Sequence, residues 1–133
     1  MIVIFHHIPR TGGTSVNSAL KEMYGPDSFL ELYSKKEYET FAGRRNHQAD
    51  RLKVISSHAD FGRMSIPAAD TGCFTVLRDP VDRVISHYNH LTSAPRHPEK
   101  NKKHYRCLGL SGYVTTDPRR DTDNDQVRRL SGE

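Results

Sequence analysis

The alternation of apolar and polar positions breaks the chain into short strand-like runs and amphipathic stretches. Ile2 to Phe5 is a β-branched and aromatic run suited to a buried strand; Val16, Ala19, Leu20 and Met23 then recur at helical spacing until Gly25-Pro26 ends the helix. From Pro26 to Arg51 the chain is polar and mixed in charge, with Tyr33, Tyr38 and Phe41 irregularly placed, and a helix is expected only around Lys35 to Ala42. Lys53 to Ser56 and Cys73 to Leu77 read as a second and a third buried strand. Three such runs joined by helical or long connections predict an α/β fold with a small parallel sheet.

Past the third strand, Asp79 is placed as an N-cap with Pro80 at the first helical position, where its missing N–H costs nothing. Val81, Val84, Ile85, Tyr88 and Leu91 predict the apolar face of that helix. Ser93 to Arg106, with two prolines and a basic cluster, and Thr115 to Asp125 predict exposed loops. A last short helix is expected from about Asn124 to Leu130, stopped by Gly132.

Length and composition then limit the classes. The 133 residues, 35% of them hydrophobic and without a repeat, fit one domain, 1–133, with a single core. Runs such as IVIF and CFTVL are far shorter than the roughly 20 residues of a membrane span, and no signal-peptide core follows Met1, so a soluble cytoplasmic protein is expected. Cys73 and Cys107 form no CxxC and predict reduced thiols. Lysine and arginine outnumber acidic residues 20 to 16, which suits an anionic ligand. The basic groups Arg44-Arg45, Lys100 to Lys103 and Arg119-Arg120 are scattered and lack interleaved stacking aromatics, so nucleic acid is not the expected partner.

Candidate chemistry begins at FHHIPRTGGTS, Phe5 to Ser15. A strand, a glycine-bearing loop and a helix N-terminus bring unpaired N–H groups together where the helix dipole favours negative charge. Gly12 and Gly13 allow close approach, Arg10 adds a full charge, and the hydroxyls of Thr11, Thr14 and Ser15 can donate to phosphate-like oxygens. Gly13 precedes Thr14 where a Walker A loop needs lysine, which disfavours ordinary ATP or GTP hydrolysis. A glycine pair alone is more often a plain turn, so a second anion motif has to decide. In TVLRDPVDRVISHYNH, Arg78 leaves the third strand and Ser86 follows two helical turns past the cap, a pair able to hold a second phosphate. Arg83 between them is better explained as an i,i+4 partner of Asp79 on a solvated face.

HIPRTGGTS together with LRDPVDRVISHY resembles the sulfotransferase family that includes heparan sulfate 2-O-sulfotransferases and bacterial carbohydrate sulfotransferases, over roughly the first 90 residues in motif order. DNDQVRRLSG, Asp123 to Gly132, weakly resembles a later segment of the family. The resemblance implies a P-loop-like three-layer fold with a central parallel sheet flanked by helices. It also implies 3′-phosphoadenosine 5′-phosphosulfate (PAPS) as co-substrate without a metal, Arg10 to Ser15 on the 5′-phosphosulfate, and Arg78 and Ser86 on the 3′-phosphate. The expected partner is a hydroxyl-bearing acceptor, a glycan by analogy. His58 in SSHADFG ends the second strand on the edge expected to carry the loop, and resembles the family's catalytic base. An unperturbed pKa of about 6.5 leaves a histidine able to take a proton.

For His6 and His7 a structural role is expected, and for His87 and His90 a surface position, since no third ligand at a recognisable spacing would complete a metal site. Arg10 stands where the family usually carries lysine, which keeps the charge with a different geometry and implies binding with slower catalysis. The chain also ends where family members usually add elements, so the site is expected to be either open or completed by another subunit in a homo-oligomer. The alternative function is a non-catalytic PAP/PAPS or nucleotide-binding module.

Overall fold

The computed structural model describes residues 1–43, 51–62, 71–95, 97–116 and 121–132. The chain gathers into two compact units, Met1–Leu77 with Arg128–Glu133, and Arg78–Val127. The basic pairs Arg44-Arg45 and Arg119-Arg120 lie outside the described residues.

The first unit is built on β1 (Ile2–His6), β2 (Phe29–Leu32), β3 (Val54–Ser57) and β4 (Thr71–Thr75), all parallel, in the order β2-β3-β1-β4. With helices α1 (Gly13–Tyr24) and α2 (Lys35–Gly43) it makes the expected α/β arrangement, a small parallel sheet flanked by helices. The sheet has four strands where three were expected. The extra one, β2, follows a short 3-10 turn at Pro26–Ser28 and alternates two apolar positions around Glu31, too short a pattern to stand out beside Gly25-Pro26. Both central strands are buried: Ile4 and Phe5 of β1, and all four residues of β3, whose Val54, Ile55, Ser56 and Ser57 show no exposed surface. Phe5 stacks on Phe74 of β4 with ring centroids 4.9 Å apart.

Helix α1 does not bury the stripe read from its apolar spacing. Met23 is 74% exposed, whereas Gly13 and Asn17 are the buried positions. The inward side of α1 is polar because Asn17 and Lys21, one turn apart, both reach the Glu31 carboxylate on β2, at 2.9 and 2.8 Å.

The second unit holds α3 (Pro80–Ser93), α4 (Glu99–Thr116) and the start of α5 (Asp125–Ser131). Asp79 caps α3 as expected: its Oδ1 accepts from the N–H groups of Val81 and Asp82 at 2.9 and 3.1 Å. The face of α3 differs from the expected one, with Val81 66% exposed and Arg83 and Leu91 buried. The Arg83 guanidinium does not lie on a solvated face. It is ion-paired with Asp125 of α5 and donates to the Asp121 carbonyl at 2.9 Å. Removing one partner of such a buried pair strands a charge.

The segment expected as a loop from Ser93 to Arg106 enters a helix at Glu99. Glu99 bonds Lys102 at 3.2 Å and Arg106 at 3.0 Å, so these two basic residues share one side of α4 with it. Gly109, with φ 65°, interrupts α4 before Tyr113, the most deeply buried large side chain of this unit. His87 is half-buried rather than on the surface, its Nδ1 2.7 Å from the Tyr113 hydroxyl, and His90 packs against His97. The final helix closes near its expected bounds, with the Gly132 N–H bonded to the Arg128 carbonyl. Among the described residues no helix is long and apolar enough to cross a membrane.

Candidate functional site

Parallel register builds the first unit's site. His6 of β1 and Leu32 of β2 both align with Ser57 of β3, so the residue after each strand emerges at the same carboxyl edge. Those residues are His7, Tyr33 and His58. The backbone carries the alignment one step beyond the strands: His7 N–H bonds the Ser57 carbonyl at 2.8 Å and His58 N–H the Leu32 carbonyl at 3.3 Å. Three rings therefore meet, His7 to His58 at 4.7 Å, Tyr33 to His58 at 4.4 Å and His7 to Tyr33 at 5.8 Å. The carbonyl of His58 is also held, accepting from Arg129 at 3.1 Å.

The loop from Pro9 to Gly12 leaves this edge and turns into α1. Two of its residues adopt left-handed backbone, Arg10 with φ 71° and Gly12 with φ 93°. Gly12 is the N-cap of α1 and offers no side chain to the first turn. The N–H groups of Gly12, Gly13 and Thr14 consequently have no partner among the described residues. The hydroxyls of Thr14 and Ser15 are exposed at the same turn. Thr11 is different: it is buried, and its hydroxyl donates to the Ile8 carbonyl at 2.9 Å, holding the loop's shape. Gly13 is required by His7. A Cβ built there would lie 1.9 Å from the imidazole Cδ2, so the ring of His7 seals the space behind the loop.

Electrostatics at this edge favour a neutral His7. Burial pushes its pKa below the ordinary histidine value, with the Glu31 carboxylate opposing the shift. His6, on the other face of β1, is also pushed down by burial, while a contact with the Ala59 carbonyl opposes it. Burial works against ionised Glu31, but hydrogen bonds from Lys21, Tyr33 and Asn17 and the Lys21 charge outweigh it and hold the carboxyl below its usual range. The Tyr33 phenol, donating to Glu31 at 2.8 Å, is pushed up to about 12 by burial and by that carboxylate.

His7, Asn17, Glu31 and Tyr33 were absent from the sequence-based site. The signal that could have found them is the alternation FLELY, which marks a strand end at Tyr33 and so a ring at the same edge as His58. Arg78 and Ser86 belong to the second unit, Arg78 exposed just ahead of α3 and Ser86 half-buried on it.

A parallel α/β sheet whose carboxyl edge carries a glycine loop with unpaired amides at a helix N-terminus offers donors suited to an anion. The family model described as Sulfotransferase family matches residues 2–131, and the chain belongs to that family. A protein-tyrosine sulfotransferase of Arabidopsis thaliana is 33% identical over 92 residues, covering 65% of this chain and 17% of that protein. The chain therefore spans about a sixth of the length of the curated relative it matches. No solved structure matches.

Proposed function

We propose that the chain transfers a sulfuryl group from PAPS to a hydroxyl acceptor. The observation that carries this reading is the loop: three amides without partners, two exposed hydroxyls and the Arg10 charge form a set of donors. Phosphosulfate oxygens are acceptors only, so the residues present fit that group. In this reading Gly12, Gly13, Thr14 and Ser15 bind the 5′-phosphosulfate, Thr11 fixes the loop, and Arg78 and Ser86 take the 3′-phosphate.

PAPS supplies the sulfuryl group. The chain contributes orientation, a base and positive charge. His58 accepts the proton of the acceptor hydroxyl, and its ring is packed between those of His7 and Tyr33. Arg10 offsets the charge that develops on the departing phosphate but cannot itself donate a proton near neutral pH.

The acceptor proposed is a carbohydrate hydroxyl, on the resemblance of the two motifs to carbohydrate sulfotransferases. The similarity to a protein-tyrosine sulfotransferase makes a peptide tyrosine the rival acceptor. Calorimetric titration with PAP tests the shared premise, and a panel of glycans and tyrosine peptides with radiolabelled PAPS separates the acceptors. Saturable PAP binding is expected, and its absence would reject the reading.

A further inference from the structure

Arg78 sits between two ordered elements yet belongs to neither. Strand β4 ends at Thr75, and α3 starts at Pro80 behind the Asp79 cap. In such a connection the backbone N–H and C=O of Arg78 have no ladder or helix to bond to. A single side chain serves both: the Gln126 Oε1 accepts from the Arg78 N–H at 3.0 Å, and the Gln126 Nε2 donates to the Arg78 carbonyl at 2.9 Å. The primary amide occupies the place that a neighbouring strand would take. Only asparagine and glutamine carry the donor and acceptor side by side that this requires.

The next residues fix the other side of Arg78. Pro80 restricts Asp79 to extended backbone, observed at φ −47° and ψ 127°, and the Asp79 carboxylate is committed to the first turn of α3. The Arg78 Cα is thus held from both directions, while its guanidinium is exposed and has no partner among the described residues. A long side chain launched from an immobilised backbone loses less freedom when it closes on a ligand.

We propose that Gln126 is a positioning residue for Arg78 and so sets the preference for nucleotides that carry a 3′-phosphate. The inference rests on the reading that Arg78 binds that phosphate. Gln126 touches no ligand group in this account and acts through the Arg78 backbone.

The test compares the affinities of PAP and AMP by calorimetry, since the two differ only in the 3′-phosphate. The native chain is expected to prefer PAP by roughly ten- to hundredfold, the range of a charge-assisted hydrogen bond. Arg78→Ala should remove most of that preference, leaving only what the Ser86 hydroxyl contributes. Gln126→Leu should lower it by roughly three- to tenfold while leaving the affinity for AMP unchanged, and should have no further effect in the Arg78→Ala background. Retained AMP affinity separates this from general loss of structure. If Gln126→Leu loses AMP binding as well, Gln126→Asn becomes the readout, because its shorter stem cannot meet both backbone groups; a native ratio in that variant overturns the proposal. A native chain without preference for PAP, or an Arg78→Ala variant that keeps it, overturns the reading of Arg78 and the proposal with it. A Gln126→Leu variant that keeps the native ratio overturns the proposal alone.

Discussion

The ring of Tyr33 lies 4.4 Å from that of His58, inclined by 34°, and its hydroxyl donates to Glu31 at 2.8 Å. Tyr33 is thereby oriented by a carboxylate that Asn17 and Lys21 of α1 also grip. The helix that begins at the glycine loop and β2, the strand that ends beside Tyr33, share one polar network. Tyr33→Phe keeps the ring and loses the hydroxyl bonds, and should cost about 1 kcal/mol of stability with most turnover retained. Tyr33→Leu removes the ring against His58 and should lower kcat well below that of Tyr33→Phe. Urea titration and steady-state kinetics on the two variants check the order.

Gly13 and His7 are coupled by contact. Gly13→Ala places a Cβ where the His7 ring stands, and should destabilise by about 1–3 kcal/mol as an overpacked site. Shrinking the ring removes the clash, so Gly13→Ala should cost less in a His7→Ala background. A double-mutant cycle by urea denaturation measures the difference. Additive costs would show that the two residues do not meet.

Much of the fold was legible from sequence, and the reasons the reading was incomplete are physical. The β-branched runs of β1 and β3, the glycine loop and the Asp79-Pro80 cap are local signals, and each appears where its residues predict. Arg83 misled because its partner Asp125 is 42 positions away, which no periodicity reveals. The helix α4 was hidden by Pro95 and Pro98, although Glu99, Lys102 and Arg106 carry helical spacing. The clamp of Gln126 on Arg78 is a backbone contact, and a sequence carries no trace of backbone contacts made by a side chain.

Arg10 separates stability from function. Its left-handed backbone, φ 71°, is costly for any residue with a Cβ. Arg10→Gly should therefore stabilise the fold by about 0.5–1 kcal/mol while weakening PAP binding. Arg10→Lys leaves the backbone cost in place and should raise turnover with little change in stability. Thermal denaturation beside PAPS turnover distinguishes the two variants.

Acid should weaken the first unit in two stages. His6 and His7 have folded pKa values below the ordinary 6.5, so the unfolded chain binds more protons. Their contribution is complete above that value and is lost as pH falls through the folded ones. Glu31, held below 4.5, contributes above that value and loses its share at lower pH. Tyr33 acts at the alkaline end: its contribution is full below the ordinary 10 and disappears as pH rises through about 12. Urea midpoints across the pH range should fall on both sides, and Tyr33→Phe should flatten the alkaline limb.

In the proposed reaction His58 removes a proton from the acceptor, the glycine loop binds the 5′ end of the nucleotide, and Arg78 binds its 3′-phosphate. The most direct measurement pairs PAP calorimetry with release of PAP from radiolabelled PAPS for the native chain and for His58→Ala. Equal PAP affinity is expected, with a loss of turnover of about 10²–10⁴-fold in the variant, the usual contribution of a general base. Unchanged turnover in His58→Ala would contradict it.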